Sequence, residues 1–85
     1  MSDFANTLSA ILKENRLSIN RVSAESGIDR TVLSKGLKGS RQIPFYSFKK
    51  LIDSLAVPSS DKNLLVHKYI KENFGLERFN SYIKI

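Results

Sequence analysis

The segment from Leu17 to Gly39, LSINRVSAESGIDRTVLSKGLKG, decides the fold because it contains the starts of two short helices. Ser18 is a typical N-cap, since its side chain can accept a hydrogen bond from an N–H group of the first turn. Leu17 and Val22 then occupy the two positions of a hydrophobic staple. Gly27 predicts the end of this helix, because glycine takes the left-handed conformation without steric cost.

A second helix is predicted to follow at once. Asp29 is its natural N-cap, and Ile28 and Leu33 then form a second staple. Ser23 is small, as the residue at a close crossing of two helices must be. Two capped helices joined by so short a turn predict a helix-turn-helix in which the helices cross steeply.

The apolar residues outside this segment are spaced as in helices nearly throughout. A first helix is predicted from Asp3 to about Asn15, a fourth with Pro44 in its first turn and an end near Leu55, and a fifth that Ser59 or Ser60 caps and Gly75 ends. Their inward positions are predicted to be Phe4, Leu8, Ile11, Leu12, Phe48, Leu51, Ile52, Leu55, Leu65, Val66, Tyr69, Ile70 and Phe74. The predicted fold class is all-α, a compact bundle of about five helices.

The last ten residues fit more than one structure. We expect residues 1–75 to form one domain and residues 76–85 to form a tail that packs on the fifth helix or makes a dimer contact. Its large apolar side chains, Leu76, Phe79, Tyr82 and Ile83, fit a short helix, whereas residues 83–85 could equally begin a strand. The chain could also be the N-terminal domain of a longer regulator.

Positive charge is concentrated in one part of the chain. The net charge is +6, and residues 30–50 hold six basic residues and no acidic one, whereas the remainder holds eight of each sign. A localised positive surface attracts polyanions, with nucleic acid first and anionic membrane second. A solvated basic face that only aids solubility is the alternative.

Composition argues against several other functions. The chain has no cysteine and one histidine, and it shows no paired carboxylates in an apolar setting, so we expect no enzyme, metal site or cofactor. The glycines form no phosphate-binding or dinucleotide-binding motif, and no small-molecule ligand is evident. No apolar run is long enough to span a bilayer, and we expect a soluble cytoplasmic protein.

Roughly two thirds of the chain, from about Ile11 to Leu65, resembles the Cro and lambda-repressor-like family of XRE-type helix-turn-helix proteins. The residues that carry the resemblance are Leu12 to Ser18, Ser26 to Arg30, Leu33 to Lys35, Lys38 to Arg41, Pro44, Leu51, Leu55 and Val57. The resemblance implies a sequence-specific regulator of transcription, commonly a repressor, that binds double-stranded DNA as a homodimer. It also implies that the third helix lies in the major groove. A cytoplasmic protein associated with a bacterial or phage nucleoid is implied as well.

The resemblance assigns two kinds of contact to the residues of this chain. Base edges would be read by the exposed first turns of the third helix, namely Arg30, Thr31, Ser34 and Lys35, with Val32 as a candidate for a thymine methyl. Phosphates would be held by Ser18, Asn20, Lys38, Ser40 and Arg41. Arg30 and Lys35 could instead be solvated surface charges, and Val32 could be partly buried. His67, Tyr46, Lys49 and Lys50 are expected to be surface or packing residues.

Some positions depart from the family pattern. Ile19 stands where a phosphate-contacting Gln is frequent, and Leu12 and Leu37 replace an Arg–Glu pair with what could be an apolar contact. Gly36 weakens the third helix by up to ~1 kcal/mol and could let Leu37 turn inward or the helix end early. Ile19, Gly36 and Leu37 favour an alternative function, a protein-interaction module such as an adaptor or anti-repressor. RNA binding is a third option, although no stacking platform of aromatic residues is evident.

Overall fold

Five helices account for the chain in a computed structural model that describes the backbone of residues 3–83 and the side chains of residues 3–73. The helices are α1 (Asp3–Glu14), α2 (Ile19–Ser26), α3 (Arg30–Lys38), α4 (Phe45–Ser54) and α5 (Ser59–Ile83). The described backbone contains no strand, and the predicted all-α class is confirmed. The radius of gyration is 12.3 Å, close to the ~12 Å expected of a compact domain of this length.

The caps that bound α2 and α3 are those predicted from the sequence. The Ser18 hydroxyl accepts a hydrogen bond of 3.1 Å from the Arg21 N–H, and the Asp29 carboxylate accepts one of 2.7 Å from the Thr31 N–H. Gly27 ends α2 in the left-handed conformation, with φ of 76°. Local hydrogen bonding therefore fixes both ends of the connection between α2 and α3.

Two serines complete the turn between α2 and α3. The Ser23 hydroxyl donates to the Ile28 carbonyl at 2.6 Å, and the Ser26 hydroxyl donates to the Val22 carbonyl at 2.7 Å. Ser26 also accepts from the Ile28 N–H at 3.2 Å. Ile28 belongs to neither helix, so the bonds from Ser23 and to Ser26 give partners to a backbone carbonyl and a backbone N–H that no helix pairs.

A single apolar core joins the helices. It contains both staple pairs and most of the predicted inward residues, namely Phe4, Leu8, Ile11, Leu12, Leu17, Val22, Ile28, Leu33, Ile43, Phe48, Leu51, Leu55, Leu65 and Tyr69. Ile52, Val66 and Leu37 are partly buried against it, and Ile70 is buried. Leu12 thus lies in the apolar core, and Leu37 packs against that core.

Aromatic rings from α1, α4 and α5 pack together beside the loop between α3 and α4. The rings of Tyr69 and Phe48 stack at 4.0 Å, and Phe4 meets both edge-on, at 5.4 Å from Tyr69 and 5.7 Å from Phe48. The Tyr69 hydroxyl donates to the Ile43 carbonyl in the loop between α3 and α4. A buried hydroxyl needs such a partner, and here the partner holds the loop in place.

Gly36 has a packing role. It is buried, and a Cβ atom at this position would lie 2.5 Å from Cγ1 and 2.7 Å from Cδ1 of Ile43. The missing side chain leaves the space in which Ile43 packs against α3. The helix does not end early, because it continues to Lys38 and stops at Gly39 with φ of 73°.

Three predicted helix boundaries were wrong: the end of α5 and the starts of α4 and α5. Gly75 does not end the fifth helix, since α5 continues to Ile83. A glycine in a helix costs about 1 kcal/mol and does not by itself break it, and no proline follows. Ser59 and Ser60 lie within the first turn of α5, where the Pro58 carbonyl accepts from the Asp61 and Lys62 N–H groups. Pro44 is the N-cap residue of α4, with an extended ψ of 149°.

The tail is thus continuous with α5 in its backbone. Ile83 is helical, so a strand does not begin there, and Lys84 and Ile85 lie outside the described residues. The side chains of Leu76, Phe79, Tyr82 and Ile83 also lie outside the described part, and with them the expected packing or dimer contact of the tail.

Candidate nucleic-acid interface

The outer face of α3 carries the predicted base-reading residues. Arg30, Thr31 and Lys35 are exposed, and Ser34 is half-buried. On the side of α3 next to α2 lies an open groove of about 670 Å³, which we call the α2-side groove; it is lined by Ile19, Ser23, Asp29, Arg30, Thr31, Ser34, Lys35 and Lys38. The four predicted base-reading residues therefore line one surface.

Helical spacing explains this arrangement. Arg30, Ser34 and Lys38 follow one another at intervals of four residues, and such residues lie on the same face of a helix. Their spacing covers about 12 Å along the helix axis. The Asp29 cap fixes where α3 begins and hence which residues line this flank.

A second, smaller groove of about 170 Å³ lies on the opposite flank of α3. We call it the loop-side groove; it is lined by Thr31, Val32, Lys35, Arg41, Gln42 and Pro44. Thr31 and Lys35 line both grooves. Because these two residues are four positions apart, they form a ridge along α3 with one groove on each side.

Two of the five predicted phosphate-binding residues line the grooves, one in each. Lys38 lines the α2-side groove, whereas Arg41 lines the loop-side groove. Ser40 is exposed, but its hydroxyl donates to the Lys35 carbonyl at 3.3 Å and thereby caps α3. Ser18 and Asn20 are exposed at the start of α2, on either side of Ile19. The candidate phosphate contacts therefore come from two separate parts of the chain, the start of α2 and the segment from Lys38 to Arg41.

The charges of this surface are available to a ligand. Among the described residues, Arg30, Lys35, Lys38 and Arg41 are in no ion pair. Ion pairs elsewhere join Arg21 to Glu25 and Lys68 to Asp3. Asp29 is the one acidic residue among those that line the two grooves, and its carboxylate is engaged by the Thr31 N–H. The surface therefore keeps a net positive potential.

The core holds the loop that carries Arg41. Ile43 is 1% exposed and packs in the space left by Gly36, and the Tyr69 hydroxyl binds its carbonyl. Burial raises the pKa of the Tyr69 phenol, so this side chain stays a neutral donor at ordinary pH. Arg41 is only two residues from this anchor, so its backbone position relative to α3 is set by the core.

Sequence reasoning missed two residues of this surface. Ile19 is half-buried and lines the α2-side groove. Gln42 is exposed and lines the loop-side groove next to Arg41. The sequence contains only a weak indication that Gln42 belongs to this surface, namely its place between Arg41 and the apolar Ile43. Val32 is half-buried and lies on the loop side, away from Ile19.

The remaining basic and aromatic candidates lie elsewhere. Lys49 lines a third groove, between α4 and α5, and its ammonium lies 5.9 Å from the centre of the Phe45 ring. Lys50 lies 5.7 Å from the Tyr46 ring, which is exposed. His67 is half-buried in α5. The six basic residues of the positive segment therefore do not form a single patch.

Comparison of the chain with protein-family models, with curated proteins and with solved structures found no match. Among the described helices, none is both long and apolar enough to cross a membrane. The same part of the chain contains no group of three or more metal-ligating side chains. A function must therefore be inferred from the residues of the two grooves.

Proposed function

We propose that the chain is a sequence-specific double-stranded DNA-binding protein that regulates transcription, as a repressor, and that α2 and α3 act as a helix-turn-helix. The single observation that carries the proposal is the exposed ridge of α3 with unpaired cations on both flanks. With its side chains an α-helix is about 10–12 Å wide, which matches the ~12 Å width of the major groove of B-DNA.

The chemistry of the ridge and of its flank in the α2-side groove suits base reading. The Arg30 guanidinium can form two parallel hydrogen bonds to O6 and N7 of guanine, and Lys35 can donate to the same acceptors. Thr31 and Ser34 add hydroxyl groups that can donate or accept. In this proposal the bases of one half-site lie along the ridge.

The two flanks suit the two sugar-phosphate strands that border a major groove. Lys38 and the start of α2, with Ser18 and Asn20, would hold one strand, whereas Arg41 would hold the other. Amide groups in the first turn of α2 add donors, because the first N–H groups of a helix have no partner within it. Contacts to phosphate would set the register of α3 without choosing the sequence.

Two copies bound to a two-fold site fit this proposal. One short helix reads few base pairs, and a symmetric homodimer doubles the specific contacts. Sequences selected from a random duplex pool should then contain two inverted half-sites. A single, unrepeated half-site in the selected pool would instead indicate a monomer.

Two of the three features that favour the protein-interaction alternative have another explanation. Gly36 has a packing role against Ile43, and Leu37 is partly buried against the core, so neither indicates a surface for a partner protein. Ile19 is the remaining feature, and it lies in the same groove as Arg30 and Lys35.

The test compares four alanine variants in a competition assay between the selected duplex and a random duplex. Arg30→Ala and Lys35→Ala should abolish the preference for the selected sequence. Lys38→Ala and Arg41→Ala should weaken binding to both duplexes. Each should also reduce the log–log salt slope by about 0.9 for every phosphate that the variant no longer neutralises.

Lys49→Ala is the matched control, because Lys49 belongs to the same basic segment but lines the groove between α4 and α5. Lys49→Ala should leave the preference for the selected duplex unchanged and should alter the salt slope only slightly. If Lys49→Ala has the same effect as Lys38→Ala, net charge rather than the α3 surface governs binding. Absence of any selected sequence would reject the proposal.

A further inference from the structure

The α2-side groove contains one apolar side chain among polar ones. Of the eight residues that line it, Ile19 is the only aliphatic residue, and the others are Ser23, Asp29, Arg30, Thr31, Ser34, Lys35 and Lys38. An aliphatic group within such a groove is exposed to water unless a ligand covers it, and covering it is favourable.

Ile19 is fixed in this position by the fold. It is the first residue of α2, next to the Ser18 cap, and it is partly buried against the apolar core. One part of the side chain is thus held by the protein while the rest faces the groove. A β-branched side chain held in this way loses little further freedom on binding.

The proposed ligand offers one apolar group that could cover it. In the major groove of B-DNA each base edge presents hydrogen-bond donors, acceptors or both, and only thymine adds an apolar group, its C5-methyl. We propose that Ile19 is a specificity-determining residue that contacts the C5-methyl of a thymine in the duplex bound by α3. This inference rests on the proposed function and names the base that the α2-side groove selects.

Two other side chains could offer a methyl group to the same duplex. Val32 is half-buried and lines only the loop-side groove, so it lies on the opposite flank of α3 from Ile19. Thr31 is exposed on the ridge between the grooves and carries one methyl group. Thr31→Ser removes that methyl alone and is the matched control.

The test uses the full chain and a duplex obtained by selection from a random pool. Each thymine is replaced in turn by uracil, which pairs identically but lacks the C5-methyl. With the unaltered protein, one thymine per half-site should show about a fourfold loss of affinity, the value of one buried methyl-sized group. At that position, cytosine paired with guanine should bind more tightly when it carries a 5-methyl group.

Variants of the protein identify the residue that causes the loss of affinity for the uracil duplex. In Ile19→Ala the thymine and uracil duplexes should bind equally at the position identified, whereas Thr31→Ser should keep the fourfold difference. Ile19→Gln is the second variant, because it keeps the length of the side chain and suits a helix, and it should also remove the difference. Thermal unfolding of each variant identifies any loss of fold.

The outcomes separate this inference from the proposed function. If no sequence is selected, both fail. If a sequence is selected but no thymine is sensitive to uracil, or if Ile19→Ala and Ile19→Gln keep the sensitivity, only the inference fails. If Thr31→Ser removes the sensitivity, Thr31 rather than Ile19 contacts the methyl group.

Discussion

Gly36→Ala is expected to destabilise the protein, although alanine is the better helix former. A Cβ atom at residue 36 would overlap with Cγ1 and Cδ1 of Ile43, at 2.5 and 2.7 Å. Overpacking of this kind costs about 1–3 kcal/mol, and the gain in helix propensity offsets up to ~1 kcal/mol of it. With the full offset, we therefore expect a net loss of up to about 2 kcal/mol. Tm should fall by roughly 4–8 °C for each kcal/mol lost.

The assay is urea unfolding of a double-mutant cycle with Ile43→Ala, which removes the two atoms that the new Cβ would meet. Ile43→Ala alone should cost about 2–5 kcal/mol. The double variant should be less destabilised than the sum of the single variants, because alanine at residue 36 then occupies vacated space.

Gly27→Ala is the matched control for the cycle. Nothing lies within 4 Å of a Cβ atom at residue 27, but φ there is 76°. Its cost of about 1–2 kcal/mol arises from the backbone and should add to that of Ile43→Ala without coupling. A stabilising Gly36→Ala, or strict additivity of Gly36→Ala and Ile43→Ala, would refute the packing argument.

Three further perturbations test the fold. Tyr69→Phe should cost about 1–3 kcal/mol in urea unfolding, because the buried Ile43 carbonyl loses its donor; an unchanged midpoint would contradict this. A hydrogen bond from Lys68 lowers the pKa of Asp3 below 3.8. The stabilisation by this carboxylate is therefore present above that pH and is lost as pH falls through the folded-state pKa. Asp3→Asn should make the free energy of unfolding fall less steeply at acid pH, and a profile parallel to that of the unaltered protein would exclude this contribution. Arg16 has φ of 55°, so Arg16→Gly should raise stability by up to ~1 kcal/mol in thermal unfolding, and a lower Tm would show that the Arg16 side chain matters more than its backbone.

The sequence could predict the parts of this protein that local chemistry controls. Ser18 and Asp29 cap helices through bonds to residues two or three positions away, and Gly27 ends α2 through its own backbone. Apolar spacing likewise identified most of the large apolar residues that are buried in α1, α4 and the described part of α5. These features depend on residues that are neighbours in the chain, so they can be recognised in the sequence without knowledge of the fold.

Local signals failed where a weak local preference was the only guide. Gly75 costs a helix about 1 kcal/mol, and this did not suffice to end α5. The serines at residues 59 and 60 suit both an N-cap and a first turn, so they did not fix the start of that helix to the residue.

Only the tertiary structure decided how distant residues meet. Gly36 and Ile43 come from an α-helix and a loop, and their contact is a matter of shape that no sequence pattern records. The same is true of the separation of Lys38 and Arg41 onto opposite flanks of α3, and of the position of Ile19 among polar residues. Capping depends on hydrogen bonds within a few residues, whereas the surface around α3 depends on how α2, α3 and the loop between α3 and α4 pack together.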